Sequence, residues 1–258
     1  MITKQRAFWK AFLITLLLGA IVMIMLALAS REACANEYVA MIDEYPRPVV
    51  EEPEFPEYEF IVNRSTYTMD VFANGQLINT HRVIVGRPGR TTPVLETQVK
   101  SIELNPTWDV PKSLTDDMVR KFKSQENPLD YIRRMQYYFV DKDGNEIPAN
   151  AFDWSTMPNN GPYDFKIKQK PGPLNMLGQV MFVLEGTGGI QMHGTSTPNL
   201  FEHEQRRFSS GCIRVDGAND VAAMVLGKDL EEFHQYRTDL GSGKWIKLPV
   251  PIKVKVVE

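Results

Sequence analysis

The sequence predicts a mainly β domain with helices inserted in its middle and near its C-terminal end. Three observations carry this. Short runs rich in Val, Ile, Phe and Tyr recur from Tyr58 onward and are separated by turn signals. A stretch between about Leu104 and Gly178 breaks that meander with helical spacing. A second helical stretch precedes a final alternating segment. In order, Phe60-Ile61-Val62 and Tyr67 to Phe72 read as strands joined by the polar Asn63–Thr66 segment. Asn74-Gly75 is a hairpin signal leading into a strand from Leu77 to Val85, which ends at Gly86-Arg87-Pro88-Gly89. Gln98 to Leu104 is another strand. Ser113 is expected to cap an amphipathic helix running to about Lys123, and Pro128 to open a short helix near Tyr131 to Arg134. Tyr137 to Val140, Asp143-Gly144 and Asn145 to Ile147 form a small hairpin, while Val180 to Leu184 and Ile190 to His193 read as core strands. Asp216 is the expected cap of a helix from Ala218 to Leu226, and a further helix from about Leu230 to Tyr236 stops by Gly241. Ile252 to Val257 alternates apolar and charged residues, as an edge strand does.

The N-terminus carries a different signal. Lys4, Arg6 and Lys10 precede an apolar run of 19 residues from Ala11 to Ala29, interrupted mildly by Thr15 and Gly19. As a helix it would rise about 28 Å, close to the roughly 30 Å of a bilayer's hydrocarbon core. The basic flank predicts that the N-terminus stays in the cytoplasm and the rest lies outside. Ala33-Cys34-Ala35 has the small–x–small pattern of a signal-peptidase site. Residues 1–35 are therefore a signal peptide or an N-terminal membrane anchor, and the chain is expected to be periplasmic or otherwise extracytoplasmic. Residues 36–57 contain one basic and seven acidic side chains with Pro46, Pro48, Pro53 and Pro56, the composition of a solvated, stiff linker. The globular part, residues 58–258, has 24 basic and 24 acidic residues, so the net charge of −3 belongs to the linker.

Composition excludes several classes. With 43% hydrophobic residues the chain is not disordered, and two cysteines make neither a disulfide scaffold nor a four-cysteine zinc ribbon. A pI near 5.9 argues against nucleic acid as a partner. Two elements stand out instead, Gln191-Met192-His193-Gly194-Thr195-Ser196 and Phe208-Ser209-Ser210-Gly211-Cys212-Ile213-Arg214-Val215. A thiol nucleophile needs a base, a group that holds the base, and donors for a developing oxyanion, which a Gly-containing turn can present as backbone N–H groups. Both elements contain the residue types for these roles. The competing readings are a cysteine that serves only as a small buried hydrophobe, a Cys34–Cys212 disulfide, and a zinc site from His193, His203 and Cys212. The last lacks metal-ligand spacing around Glu202-His203-Glu204.

His193-Gly194-Thr195 followed by Ser209-Ser210-Gly211-Cys212-Ile213-Arg214 resembles the signature of the L,D-transpeptidases, the YkuD-type catalytic domain. The resemblance is closest to the YcbB-like subgroup. Asn105-Pro106-Thr107-Trp108-Asp109-Val110-Pro111 and Lys170-Pro171-Gly172-Pro173-Leu174-Asn175-Met176-Leu177-Gly178 match as well, so the likeness spans roughly Tyr58 to Gly227. It implies a β-sandwich or barrel-like catalytic domain over 58–258 with a lid-like insert at about 104–178. Position by position, it implies Cys212 as nucleophile, His193 as general base, and Gly194 as the residue whose carbonyl orients the imidazole. It implies the amides of Ser210, Gly211 and Cys212 as oxyanion donors. Arg214 either braces the cysteine loop or faces a substrate carboxylate. Most members have His where this chain has Ser210, which removes a second base; the close subgroup also resembles this chain in having Ser there.

The activity so implied is peptidoglycan cross-linking: attack on the bond before the terminal D-Ala of a tetrapeptide stem, a thioester, and transfer to an amine. Water as acceptor would give an L,D-carboxypeptidase, and a protein amine would attach a wall protein. No cofactor is required, neither metal nor nucleotide. A free thiol has a pKa of about 8.5, and a nearby His193 is expected to favour a thiolate–imidazolium pair that alkylates selectively near neutral pH. Two rivals are a sortase-like transpeptidase and a non-catalytic wall-binding module. The sortase pattern of a long His-to-Cys separation and a Thr-x-x-x-Cys strand is absent. The aromatic residues of the insert, Trp108, Tyr131, Tyr137, Tyr138, Trp154 and Tyr163, read first as ordinary core, and Arg133 and Arg134 as a solvated face. Acceptor and oligomeric state are not readable from the sequence.

Overall fold

Nine strands of one sheet follow the alternation seen from Tyr58 onward. The computed structural model describes residues 55–258, together with Met23 and Met25. The rest of the apolar run, Cys34 and most of the acidic linker lie outside the described residues, and so do the signal-or-anchor and linker expectations. Among the described residues no helix is long and apolar enough to cross a membrane.

Strands β1 (Tyr58–Asn63), β2 (Thr68–Ala73) and β3 (Gln76–Gly86) form a meander, with Asn74 and Gly75 at positive φ in the hairpin that joins the last two. β4 (Leu95–Leu104) pairs with β9 (Val180–Leu184), and β9 with β10 (Met192–His193). β10 runs parallel to β12 (Ile213–Val215), which pairs with β3. On the other side β4 pairs with β13 (Lys244–Val257), which runs parallel to β1. Because β2 pairs with both β1 and β3, the sheet closes on itself as a barrel, and β11 (Arg207–Ser209) adds to the end of β3. The fold is mainly β, as the sequence indicates.

Closure corrects one expectation. The alternation at Ile252–Val257 does not mark an edge, since β13 lies between β1 and β4. Alternation reports one dry and one wet face, and a closed sheet gives every strand both. Ile252, Val254 and Val256 point into the core, whereas Lys253 and Lys255 meet Glu57 and Glu59 outside. The barrel core gathers Phe60, Val62, Met69, Ile102, Phe182 and Ile213, covered by α3 (Ala218–Val225) and by Phe233 of α4 (Leu230–Leu240).

The caps follow local geometry. Asp229 accepts from Glu232 N at the start of α4, which stops at Gly241. Asp216 does not cap α3. Gly217 takes that place with φ +67°, and the Asp216 carboxylate is drawn to Arg82 at 2.7 Å. Likewise Ser113 lies inside α1 (Lys112–Lys123), which begins directly after Pro111.

Leu104 pairs with Val180, and Asn105 N donates to Gln179 O at 2.8 Å. The chain thus leaves the barrel hairpin and returns to it at one point, and the residues between build a second core. Its sheet orders β5 (Trp108–Asp109), β8 (Lys166–Gln169), β6 (Tyr137–Val140) and β7 (Glu146–Ile147), packed with α1 and α2 (Pro128–Arg134). Thr115, Met118, Val119 and Phe122 are the buried face of α1. The Phe122 ring lies 5.1 Å from Tyr137 and 5.5 Å from Trp154, so these aromatics are core, as the plainer reading held. Arg133 is exposed and paired with Asp130 within its own helix.

Candidate active site

β10 and β12 bring the two sequence elements together. Their parallel register sets Met192 opposite Ile213 and His193 opposite Arg214. Ile213 N donates to Gln191 O at 2.9 Å, which anchors the turn that precedes β12. His193, Arg214, Ser210 and Cys212 all line one cavity of about 250 Å³, whose opposite wall is built by α1 and Trp108 of the insert.

His193 is buried, at 4% exposure. Its Nδ1 lies 2.6 Å from Gly194 O. A carbonyl accepts, so Nδ1 carries the proton and Nε2 keeps its lone pair. Gly194 is itself fixed, donating to Val180 O at 3.0 Å. Gly178 packs against its other side. That glycine has φ +69°, and a Cβ there would fall 2.6 Å from Thr195 N and 2.8 Å from Gly194 C. Only a residue without a side chain lets the two segments approach this closely.

The cysteine turn holds itself through one hydroxyl. Ser209 Oγ donates to Cys212 O at 2.5 Å and accepts from Gly211 N at 3.1 Å, while Thr92 Oγ1 donates to Gly211 O at 2.8 Å. Gly211 needs its φ of +118° for this turn. Its N–H is therefore engaged, which corrects the expectation of three free amides. The N–H groups of Ser210 and Cys212 have no acceptor among the described residues.

Cys212 is a free, partly buried thiol whose Sγ contacts Gly189 O at 4.0 Å, and no hydrogen bond joins it to His193. Burial pushes the thiol up, against smaller downward pulls from a Gln191 backbone hydrogen bond and from Arg214. Burial pushes His193 down to about 4, with Arg214 adding to the effect, against the carbonyls of Gly194 and Leu177. Both shifts oppose the thiolate–imidazolium pair expected from sequence. Burial disfavours the charged form of both groups and so favours a neutral thiol beside a neutral imidazole.

Arg214 is the cation that acts on both the thiol and the imidazole. Its Nη1 lies 3.4 Å from Thr197 Oγ1, its Nε is buried without a partner, and among the described residues no carboxylate pairs with it. A guanidinium stays charged when buried, so Arg214 is a cation near the thiol with no carboxylate paired to it among the described residues. His203 lies apart from Cys212's cavity wall, with its ring 5.1 Å from Phe208.

Sequence reasoning assigned no role to Asn175, which is 1% exposed. Its Nδ2 reaches the carbonyls of Pro106 (3.0 Å), Gln169 (3.3 Å) and Lys170 (3.0 Å), and its Oδ1 accepts from Leu177 N at 2.8 Å. It ties the departing and returning strands of the insert to the segment beside His193. The only sequence signal was its place within Lys170–Gly178.

Residues 57–252 match the family model of the L,D-transpeptidase catalytic domain, YkuD. A Haemophilus influenzae protein provisionally assigned as an L,D-transpeptidase is 30% identical over 222 residues; the match covers 86% of this chain but 43% of that protein. Among solved structures, L,D-transpeptidase 3 from Mycobacterium tuberculosis is similar at 15% identity and a TM-score of 0.36, covering 79% of this chain and 62% of its own. An L,D-transpeptidase from Mycobacterium smegmatis is similar at 12% identity and a TM-score of 0.35, covering 78% and 59%. The family model takes in both strands of the site, the cysteine turn and the insert, and on that match the chain belongs to the L,D-transpeptidase catalytic-domain family, YkuD.

Proposed function

We propose that this protein is a peptidoglycan L,D-transpeptidase of the YcbB-like subgroup that forms 3-3 cross-links outside the cytoplasmic membrane, exported or tethered by its N-terminal segment. The observation that carries the chemistry is the convergence of Cys212, His193 and an unpaired Arg214 on one cavity.

A tetrapeptide stem enters as acyl donor, and a stem carboxylate is met by Arg214. Its arrival compensates the buried guanidinium and brings thiol and imidazole together, since catalytic hydrogen bonds commonly tighten in the substrate complex. His193 Nε2 takes the thiol proton as Sγ bonds to the carbonyl carbon before the terminal D-Ala. A His193 pKa of about 4 leaves the ring neutral at pH 7 with its lone pair free, and the stem carboxylate, by offsetting Arg214, raises its basicity for the proton transfer. Gly194 O holds the other nitrogen, so no acidic third residue is needed. The N–H groups of Ser210 and Cys212 face the developing oxyanion. The C–N bond then breaks, and the proton on His193 passes to the departing amine of D-Ala. In the second half an amine of a neighbouring stem attacks the thioester, His193 takes its proton, and the thiol is restored.

The test is incubation of the purified protein with disaccharide-tetrapeptide, read by mass spectrometry. A dimer lighter by one D-Ala, absent in Cys212→Ala, is the expected product. Tripeptide alone would make it a carboxypeptidase, and unchanged substrate with retained sacculus binding would make it a wall-binding module.

A further inference from the structure

Asp117 lies on α1, facing the cavity from the insert, and its carboxylate is fully occupied. Oδ2 is 3.3 Å from Arg87 Nη2 and 3.2 Å from Arg90 Nη2, both in the loop after β3 of the barrel. Oδ1 is held by Arg120 one turn along its own helix. Arg90 also donates to Ser113 O at 3.1 Å. Two cationic side chains of the barrel thus grip one turn of the insert's helix, and Arg87, Asp117 and Lys121 line the same cavity as Cys212. That cavity, about 250 Å³, is smaller than the roughly 300–1,000 Å³ of ordinary small-ligand sites. The cleft is open to solvent on one side and Cys212 is partly exposed, so a disaccharide-bearing tetrapeptide would extend beyond it, and α1 sets how much room is left beside the cysteine turn.

We propose that Asp117 is a positioning residue that latches α1 over the Cys212 cleft, holding Arg87 and Arg90 until a carboxylate of the incoming donor takes its place. The ion pairs are partly solvated, with the Asp117 side chain 34% exposed, so each is weak enough to break and reform. Two such pairs crossing the cleft bias opening by roughly two- to thirty-fold. The donor role rests on the function proposed above, but the latch itself is tested without turnover.

The experiment compares alkylation of Cys212 in the full chain by iodoacetamide, a small reagent, and by fluorescein maleimide, a bulky one that needs more room between α1 and the cysteine turn. The ratio of the two rates reports access and cancels changes in thiol reactivity. In the wild type the ratio should rise as salt is raised from about 0.01 M to about 1 M, where the Debye length falls from about 30 Å to about 3 Å. Asp117→Asn and Arg87→Gln should show a ratio roughly two- to thirty-fold higher at low salt and little further response, while Asp117→Glu restores the wild-type pattern. A ratio in the wild type that is flat with salt overturns the latch and needs no variant. A folded Asp117→Asn with the wild-type ratio overturns it as well. Failure of the muropeptide assay with a salt-sensitive ratio would instead reject the transpeptidase reading and leave the latch standing.

Discussion

Acidifying the protein from about pH 7.5 to about pH 4 should destabilise it through His193. The folded ring has a pKa of about 4, set mainly by burial and then by Arg214, against 6.5 when solvated. The folded state therefore binds this proton more weakly than the unfolded state. Above pH 6.5 both states hold a neutral ring and nothing is lost. As the pH falls through 6.5 the unfolded chain takes up a proton that the folded one refuses, and the penalty is complete near pH 4. A depression of that size corresponds to about 3 kcal/mol, a large share of the roughly 5–15 kcal/mol that holds a domain together. The assay is urea unfolding at a series of pH values for the wild type and His193→Asn, which has no group titrating in this range at that position. Carboxylates whose pKa is lowered, such as Asp117, titrate in both proteins and cancel in the difference. The wild type should lose about 3 kcal/mol more than the variant over this interval. Equal losses would show that the ring is protonated in the fold, and the neutral-imidazole argument for the site would fail with it.

Gly178→Ala should leave the barrel folded, costing about 1–3 kcal/mol in strain. It should lower Cys212-dependent turnover at least about tenfold by displacing Gly194 from His193; near-UV circular dichroism and the muropeptide assay separate the two effects. Arg214→Gln should raise the pKa of both Cys212 and His193, since Arg214 lowers each. The pH profile of iodoacetamide alkylation should then shift to higher pH, and a shift to lower pH would refute the assigned charge coupling. Asn175→Ala strands buried carbonyls and an N–H between insert and barrel, so thermal unfolding should begin about 2–4 °C lower for each kcal/mol lost, with at least about 1–3 kcal/mol at stake.

The strands were readable because burial on one face imposes a period of two, and Phe60, Val62, Val254 and Val256 carry it plainly. Strands of two or three residues, such as β5 and β11, were not, because they are too short to show a period. Asp216 and Ser113 misled for a related reason: a capping residue type competes for partners, and Arg82 and Pro111 lie where only the fold or the next residue decides the outcome.

The sequence alone determined which residues could perform the chemistry: one described thiol, a His-Gly pair, a Gly-containing turn and an arginine two residues on. Tertiary structure decided their state. The parallel pairing of β10 with β12 sets Arg214 beside His193, and burial pushes the Cys212 thiol up and the His193 imidazole down, both against the expected ion pair. The hydroxyl of Ser209 takes one of the three amides. Protonation and hydrogen-bond occupancy depend on who is near and how much water is left, and neither quantity is local along the chain.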